Sequence, residues 1–325
     1  MGNVSDPQNA TVMALLDRVP GWTGRATVLG SLDGGITNRN LLVEVDDERF
    51  VLRLAGKDTH LLEIRRGDEV TAARRAASLG FAPEVVDFLE PEGYLVTRFV
   101  SGVTLTGSDL RGPATIDRVG AILRAVHSGP LLDGDFDAFR VPERHLDAAR
   151  VRSVAVPEAY GACAAISARI EAAFGSSPDA RVPCHNDLLP ANFLRDPASP
   201  ADPGSPAGTG HIWLLDWEYA GNNDRYFDLG NLAVNNEFGP DEEAALIGAY
   251  FGEATPRRLA RLRLMRLMSD FREAMWGVVQ QGISELDFDY VGYAETHFAR
   301  LRANAGAGDL DALLDAAASG PPEPT

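Results

Sequence analysis

Lysine is almost absent from this 325-residue sequence: Lys57 is the only one, and arginine supplies nearly all of the 30 basic residues. Any chemistry that needs a lysine ammonium therefore has almost no residue to draw on. Cysteine is nearly as rare. Cys163 and Cys184 lie far apart in the chain, which excludes a disulfide framework or a cysteine-ligated zinc site and leaves both as buried small hydrophobes. No run of 18 apolar residues occurs, so nothing reads as a membrane span, and polar Met1–Pro7 lacks the basic start and apolar stretch of a signal peptide. Cytoplasm is the expected location. Positive charge is also short: the net charge is −17, which argues against nucleic acid and anionic lipid as partners and suits a cationic ligand.

What is present falls into two parts. The first hundred residues read as strands at Arg25–Leu32, Asn40–Val45 and Arg49–Leu54, with turns at Asp33-Gly34-Gly35 and Asp46-Asp47-Glu48. Apolar residues alternate at Phe50, Leu52 and Leu54, which puts Val51 and Arg53 on the other face. A helix over Leu61–Leu79 ends at Gly80, and a hairpin pairs Val85–Leu89 with Tyr94–Val100. Past Gly102 helical spacing dominates, at Thr115–His127, Glu158–Phe174, Glu242–Phe251, Pro256–Gln281 and Phe288–Arg302. Two strand-like runs interrupt them, Arg181–His185 and His211–Trp217, separated by a Pro/Gly/Ser-rich loop over Asp196–Gly210. The expected class is α+β. Residues 1–100 form a small antiparallel sheet with one helix, 101–318 a larger and mainly helical lobe, and 319–325 a disordered tail.

The stretch richest in chemistry is Cys184-His185-Asn186-Asp187-Leu188-Leu189-Pro190-Ala191-Asn192, followed downstream by the apolar run Ile212–Leu215 ending in Asp216-Trp217-Glu218. Phosphoryl transfer to an alcohol calls for a carboxylate that orients the hydroxyl and accepts its proton, and for oxygen ligands that hold Mg²⁺ against the nucleotide phosphates. Asp187 fits the first role, with His185 beside it; Asn192 and Asp216 fit the second.

This stretch resembles the catalytic loop of the aminoglycoside phosphotransferase and choline kinase superfamily, relatives of the protein kinases, and the likeness runs from about Trp22 to Leu301. The resemblance implies a two-lobed protein-kinase-like fold, ATP as donor and Mg²⁺ as cofactor. It also implies a nucleotide loop at Asp33-Gly34-Gly35-Ile36-Thr37-Asn38, where Gly34, Gly35, Thr37 and Asn38 would face the phosphates. Arg53 takes the place of the phosphate-binding lysine of protein kinases. Arg66 and Glu69 match an Arg-x-x-Glu motif in which Glu69 would pair with Arg53. Glu218 is a further candidate metal ligand. Asp228, in Phe227-Asp228-Leu229-Gly230-Asn231, would brace the catalytic loop, and Asp224 reads as a helix N-cap.

For the acceptor, Phe271–Gln280 and Leu286–Ala294 resemble the choline pocket of choline kinases. Trp276, Tyr290 and Tyr293 would wall in a cationic head group, with Glu237 and Glu273 as acids beside it. An acid near the place of a further aromatic departs from animal choline kinases and keeps ethanolamine or an amino sugar open. The expected substrate is a small cationic alcohol of choline or ethanolamine type. The alternative is an aminoglycoside or other amino-sugar antibiotic.

Overall fold

A computed structural model describes residues 7–32, 38–56, 58–197 and 210–323. It divides into two compact units, Met1–Lys57 with Ala73–Ser101, and Asp58–Ala72 with Gly102–Thr325.

The first unit is built on a five-stranded antiparallel sheet. Helix α1 (Pro7–Leu16) precedes β1 (Thr27–Leu32), β2 (Arg39–Val45) and β3 (Glu48–Leu54); after α2 (Arg66–Ser78) come β4 (Val85–Leu89) and β5 (Tyr94–Arg98). The strand order is β1-β2-β3-β5-β4. Asp46 and Asp47 join β2 to β3 with positive φ at both residues, which matches the twist a two-residue hairpin needs. In β3 the alternation works as the sequence implies. Phe50 and Leu52 enter a core with Leu41, Val43 and Val96, capped by Leu16, Val19 and Trp22 from α1 and the turn after it. Trp22 and Phe50 lie with ring centroids 4.6 Å apart. The helix α1 carries no signal in the sequence reading.

The expected helix over Leu61–Leu79 is broken. Thr59–Leu62 forms a 3₁₀ turn, Glu63 adopts a left-handed φ of 66°, and α2 begins at Arg66. The break also moves the unit boundary, because Asp58–Ala72 group with the second unit rather than with residues 1–100. An ion pair and a hydrogen bond tie this stretch to the second unit: Glu63 binds Arg144 at 2.7 Å, and Asp68 accepts the Asp133 backbone N–H at 3.0 Å.

The second unit holds β6 (Val103–Thr104), α3 (Gly107–Leu110), α4 (Pro113–His127), α5 (Arg140–Val151) and α6 (Ala159–Gly175). Next come β7 (Val182–Cys184), β8 (Phe193–Asp196), β9 (His211–Leu214) and β10 (Gly221–Asn223). The rest is helical: α7 (Arg225–Asn235), α8 (Pro240–Phe251), α9 (Pro256–Ile283), α10 (Tyr290–Ala307) and α11 (Leu310–Ala318). The strands form two small antiparallel sheets, β10-β7 and β6-β8-β9. Helix α9 is the axis of the unit. It is buried almost without interruption from Ala260 to Gln280, and α5, α7, α10 and α11 pack around it. Gly230 lets α7 approach α9 closely: a Cβ there would lie 2.7 Å from the Arg266 backbone nitrogen.

The C-terminal segment differs from expectation. Glu323 bonds to Arg257, Arg258 and the Tyr226 hydroxyl, so 319–323 are anchored by charge despite a Pro-rich composition typical of disorder. Of the loop expected over Asp196–Gly210, residues 198–209 lie outside the described residues. Among the described residues, no helix is long and apolar enough to cross a membrane.

Candidate active site

Asp187 follows β7, in a loop that a network of buried hydrogen bonds holds in place. Asn186 adopts a left-handed φ of 66°, a conformation that Asn tolerates better than most residues. Its amide donates to the Tyr219 carbonyl at 2.9 Å, and its side-chain oxygen accepts from Asn223 at 2.9 Å. From α7, the fully buried Asp228 accepts the backbone N–H groups of His185 (2.8 Å) and Asn186 (2.7 Å), and the His127 ring N–H at 2.9 Å. Burial works against the charged form of Asp228, but the His127 hydrogen bond and these donors outweigh it and hold its carboxyl below the usual range. One helical turn further on, Asn231 accepts the Leu188 N–H and donates to Ser269. Asp224 caps α7 by accepting the Tyr226 N–H at 2.9 Å.

His185 is fully buried with both ring nitrogens engaged. Nε2 donates to the Leu215 carbonyl at 2.9 Å and Nδ1 accepts the Asp187 N–H at 3.2 Å. Burial pushes its pKa down, so it stays neutral and fixes two loops to each other.

Asn192 closes the short 3₁₀ turn Pro190–Asn192 and reaches back to Asp187. Its amide nitrogen donates to the Asp187 carbonyl at 2.8 Å and lies 3.3 Å from a carboxylate oxygen. The β8–β9 register pairs Phe193 with Leu214, and the Leu215 N–H donates to the Asn192 carbonyl at 2.8 Å, so Asn192 and the start of Asp216-Trp217-Glu218 are neighbours. Asp216 sits just beyond β9 with φ 59°. Glu218 is buried, 3.5 Å from Arg66, whose same nitrogen binds Glu69 at 2.7 Å. Burial raises the Asp187 pKa, Glu273, Asp216 and Glu218 add repulsion, and Arg272 opposes them.

A divalent cation fits this donor set. Backbone and carboxylate oxygens of Asp187 only accept, so the Asn192 NH₂ must face them and its carbonyl oxygen points elsewhere. Together with Asp216 and Glu218 this makes an all-oxygen set, suited to a hard ion such as Mg²⁺.

The acceptor candidates on α9 and α10 are packed together. Trp276 lies 5.8 Å from Tyr290 and 5.5 Å from Tyr293 between ring centroids. Their polar tips are all engaged: the Trp276 N–H donates to the Tyr219 hydroxyl at 2.8 Å, Tyr290 bonds Ser284, and the Tyr293 hydroxyl donates to Glu273 at 2.8 Å. Glu273 also pairs with Arg272. Glu237 stands at the exposed end of α7 with φ 55°, 3.9 Å from Arg111. Arg53 is buried in β3 of the first unit, Glu69 is in the part of α2 that belongs to the second, and Asn38 is half-buried before β2. Gly34, Gly35 and Thr37 lie outside the described residues.

Sequence reasoning missed His127, Asn223 and Arg272 and gave Asn231 no role. Asn231 had a signal, since it stands three residues from Asp228 on one helical face. Arg272 had one too: it stands between the only two acids of α9, Asp270 and Glu273. His127, distant in sequence, had none.

The mixed α+β frame and this oxygen-rich loop belong to a kinase-type phosphotransferase with the protein-kinase-like fold. The model of the phosphotransferase enzyme family matches residues 29–264, and the chain belongs to that family. Human ethanolamine kinase 2 is 26% identical over 328 aligned residues, which cover 86% of this chain and 76% of the human one. The crystal structure of a choline/ethanolamine kinase family protein from Mesorhizobium loti superposes with a TM-score of 0.75 at 29% identity, covering 96% of this chain and 99% of that one. Choline kinase LicA from Streptococcus pneumoniae, at 22% identity, shares the fold with a TM-score of 0.74 over 93% of this chain and 100% of its own.

Proposed function

We propose that the protein transfers the γ-phosphoryl group of ATP to the hydroxyl of a small cationic alcohol of the choline or ethanolamine type, with Asp187 as the general base. The observation that supports this most is the Asp187 carboxylate itself. It is nearly buried, flanked by the Asn192 amide at 3.3 Å and the Arg272 guanidinium at 3.4 Å, in a loop that Asp228 and Asn231 hold rigid. A carboxylate fixed in this way can orient an acceptor hydroxyl and take its proton as the oxygen attacks phosphorus.

Asn192 and Asp216 are the proposed Mg²⁺ ligands, with Glu218 as a further one; the ion, when bound, would neutralise charge on the β- and γ-phosphates. For the nucleotide, Arg53 is proposed to bind a phosphate, with Glu69 as its orienting carboxylate. Gly34, Gly35, Thr37 and Asn38 are proposed as the phosphate-facing loop. His185 acts as a positioning residue, since both of its ring nitrogens are already bonded. Trp276, Tyr290, Tyr293, Glu273 and Glu237 are the proposed acceptor residues, and the net charge of −17 favours a cationic acceptor.

The test is an ATP-consumption assay with Mg²⁺, run against choline, ethanolamine and a panel of aminoglycosides. Turnover is expected with choline or ethanolamine. In Asp187→Asn it falls by about 10²–10⁴-fold, while ATP affinity is retained. Turnover with aminoglycosides alone would move the acceptor to amino sugars and keep the chemistry. Full turnover in Asp187→Asn would overturn the base assignment.

A further inference from the structure

Beside Asp187 stands a cation of the protein's own. Arg272, on α9, is 2% exposed and its guanidinium carbon lies 4.2 Å from the centre of the Tyr219 ring. One nitrogen, Nη1, reaches Asp187 Oδ1 at 3.4 Å and also pairs with Glu273 Oε1. The other Glu273 oxygen accepts the Tyr293 hydroxyl at 2.8 Å, and the Tyr219 hydroxyl accepts the Trp276 N–H at 2.8 Å.

A carboxylate and an aromatic face beside a catalytic base are the two features that would hold an organic cation. Here both are already engaged by the guanidinium. Arginine is ionised under all ordinary conditions, so Arg272 offsets one of the negative charges that Asp187 and Glu273 can carry. An acceptor with a fixed positive charge near Asp187 would sit beside a like charge, and the Tyr219 face there is already covered.

We propose that Arg272 is a specificity-determining residue, a built-in cation that restrains the preference of the acceptor site for permanently charged ammonium groups. This rests on the phosphotransfer reading above and refines its substrate. Primary amines can still donate hydrogen bonds to the surrounding carboxylates. A quaternary ammonium has no N–H to donate and depends on the ring face and on net charge.

The measurement is kcat/KM for choline divided by kcat/KM for its neutral isostere, 3,3-dimethylbutan-1-ol, in wild type, Arg272→Met, Arg272→Lys and Tyr219→Leu. Removing the charge in Arg272→Met should raise the ratio by about tenfold or more, as expected for one unit charge lost at close range in a partly screened site. Arg272→Lys keeps the charge and should keep the ratio within about threefold of wild type, again on the same Coulomb grounds. Tyr219→Leu removes a ring that Arg272 already covers, so its ratio should match wild type; this arm stands even if Arg272→Met fails to fold. An unchanged ratio in Arg272→Met, or a fall in Tyr219→Leu, overturns the proposal. If wild type turns over neither alcohol, the phosphotransfer reading is what fails for this pair. The same ratios are then read from dissociation constants measured by calorimetry, with the same outcomes deciding the role of Arg272.

Discussion

Replacing Asp228 by Asn tests the brace behind the catalytic loop. In the wild type one carboxylate oxygen accepts the Asn186 N–H at 2.7 Å, and the other accepts the His185 N–H at 2.8 Å and the His127 ring N–H at 2.9 Å. An amide has only one accepting oxygen. In its better orientation it keeps the two histidine bonds and turns an NH₂ toward the Asn186 N–H, so donor meets donor. A hydrogen bond to a charged group contributes about 1.5–3 kcal/mol, and a buried donor left without a partner costs a further 1–3 kcal/mol. The variant should therefore lose about 2.5–6 kcal/mol, which at about 2–4 °C per kcal/mol corresponds to a fall in Tm of roughly 5–24 °C. Differential scanning calorimetry reads it, and the phosphotransfer rate should fall with it as the Asp187 loop loosens.

The pH dependence gives an independent check on the same residue. The folded-state pKa of Asp228 lies below its ordinary value, so its stabilisation is present above the unfolded pKa of about 3.9 and is lost as pH falls through the folded value. The gap in Tm between wild type and Asp228→Asn should be full at pH 7 and should narrow in acid. A Tm within about 2 °C of wild type at neutral pH, well short of the fall expected from the lost bonds, would refute this account of the loop.

Two further substitutions test the frame. Gly230→Ala would place a Cβ 2.7 Å from the Arg266 nitrogen and from the Met265 carbonyl carbon, both backbone atoms, so α7 must lift off α9. A loss of about 2–3 kcal/mol is expected in urea denaturation, and a loss under about 0.5 kcal/mol would show that the helices yield freely. Glu323→Ala leaves Arg257 and Arg258 without their shared carboxylate. The expected loss is about 1–3 kcal/mol, with faster cleavage near residue 320 under limited proteolysis; unchanged cleavage would mean that the charge anchor does not hold the segment.

The sequence by itself determined the elements and the chemistry carried by short range. Periodicity at Phe50, Leu52 and Leu54 set the inward face of β3, because alternation is a local property of an extended strand. Spacing and end residues marked α4, α6, α8 and α9 to within a few residues, and Asp224 was legible as a cap because capping spans three residues. Asp187, Asn192 and Asp216 stood out because a few residue types on apolar strand ends suffice to suggest phosphoryl transfer. What the tertiary structure decided is long-range pairing. Glu63 breaks the expected helix in a turn where it meets Arg144, 81 positions away, and Glu323 anchors a segment whose composition reads as disordered. Neither the His127–Asp228 bond nor the Arg272–Asp187 pair follows from any local pattern, since the first joins α4 to α7 and the second joins α9 to the loop after β7. Local order comes from the backbone and its nearest neighbours. Which buried charge meets which is fixed only when the helices pack, because leaving any one of them unpaired in the interior is so unfavourable.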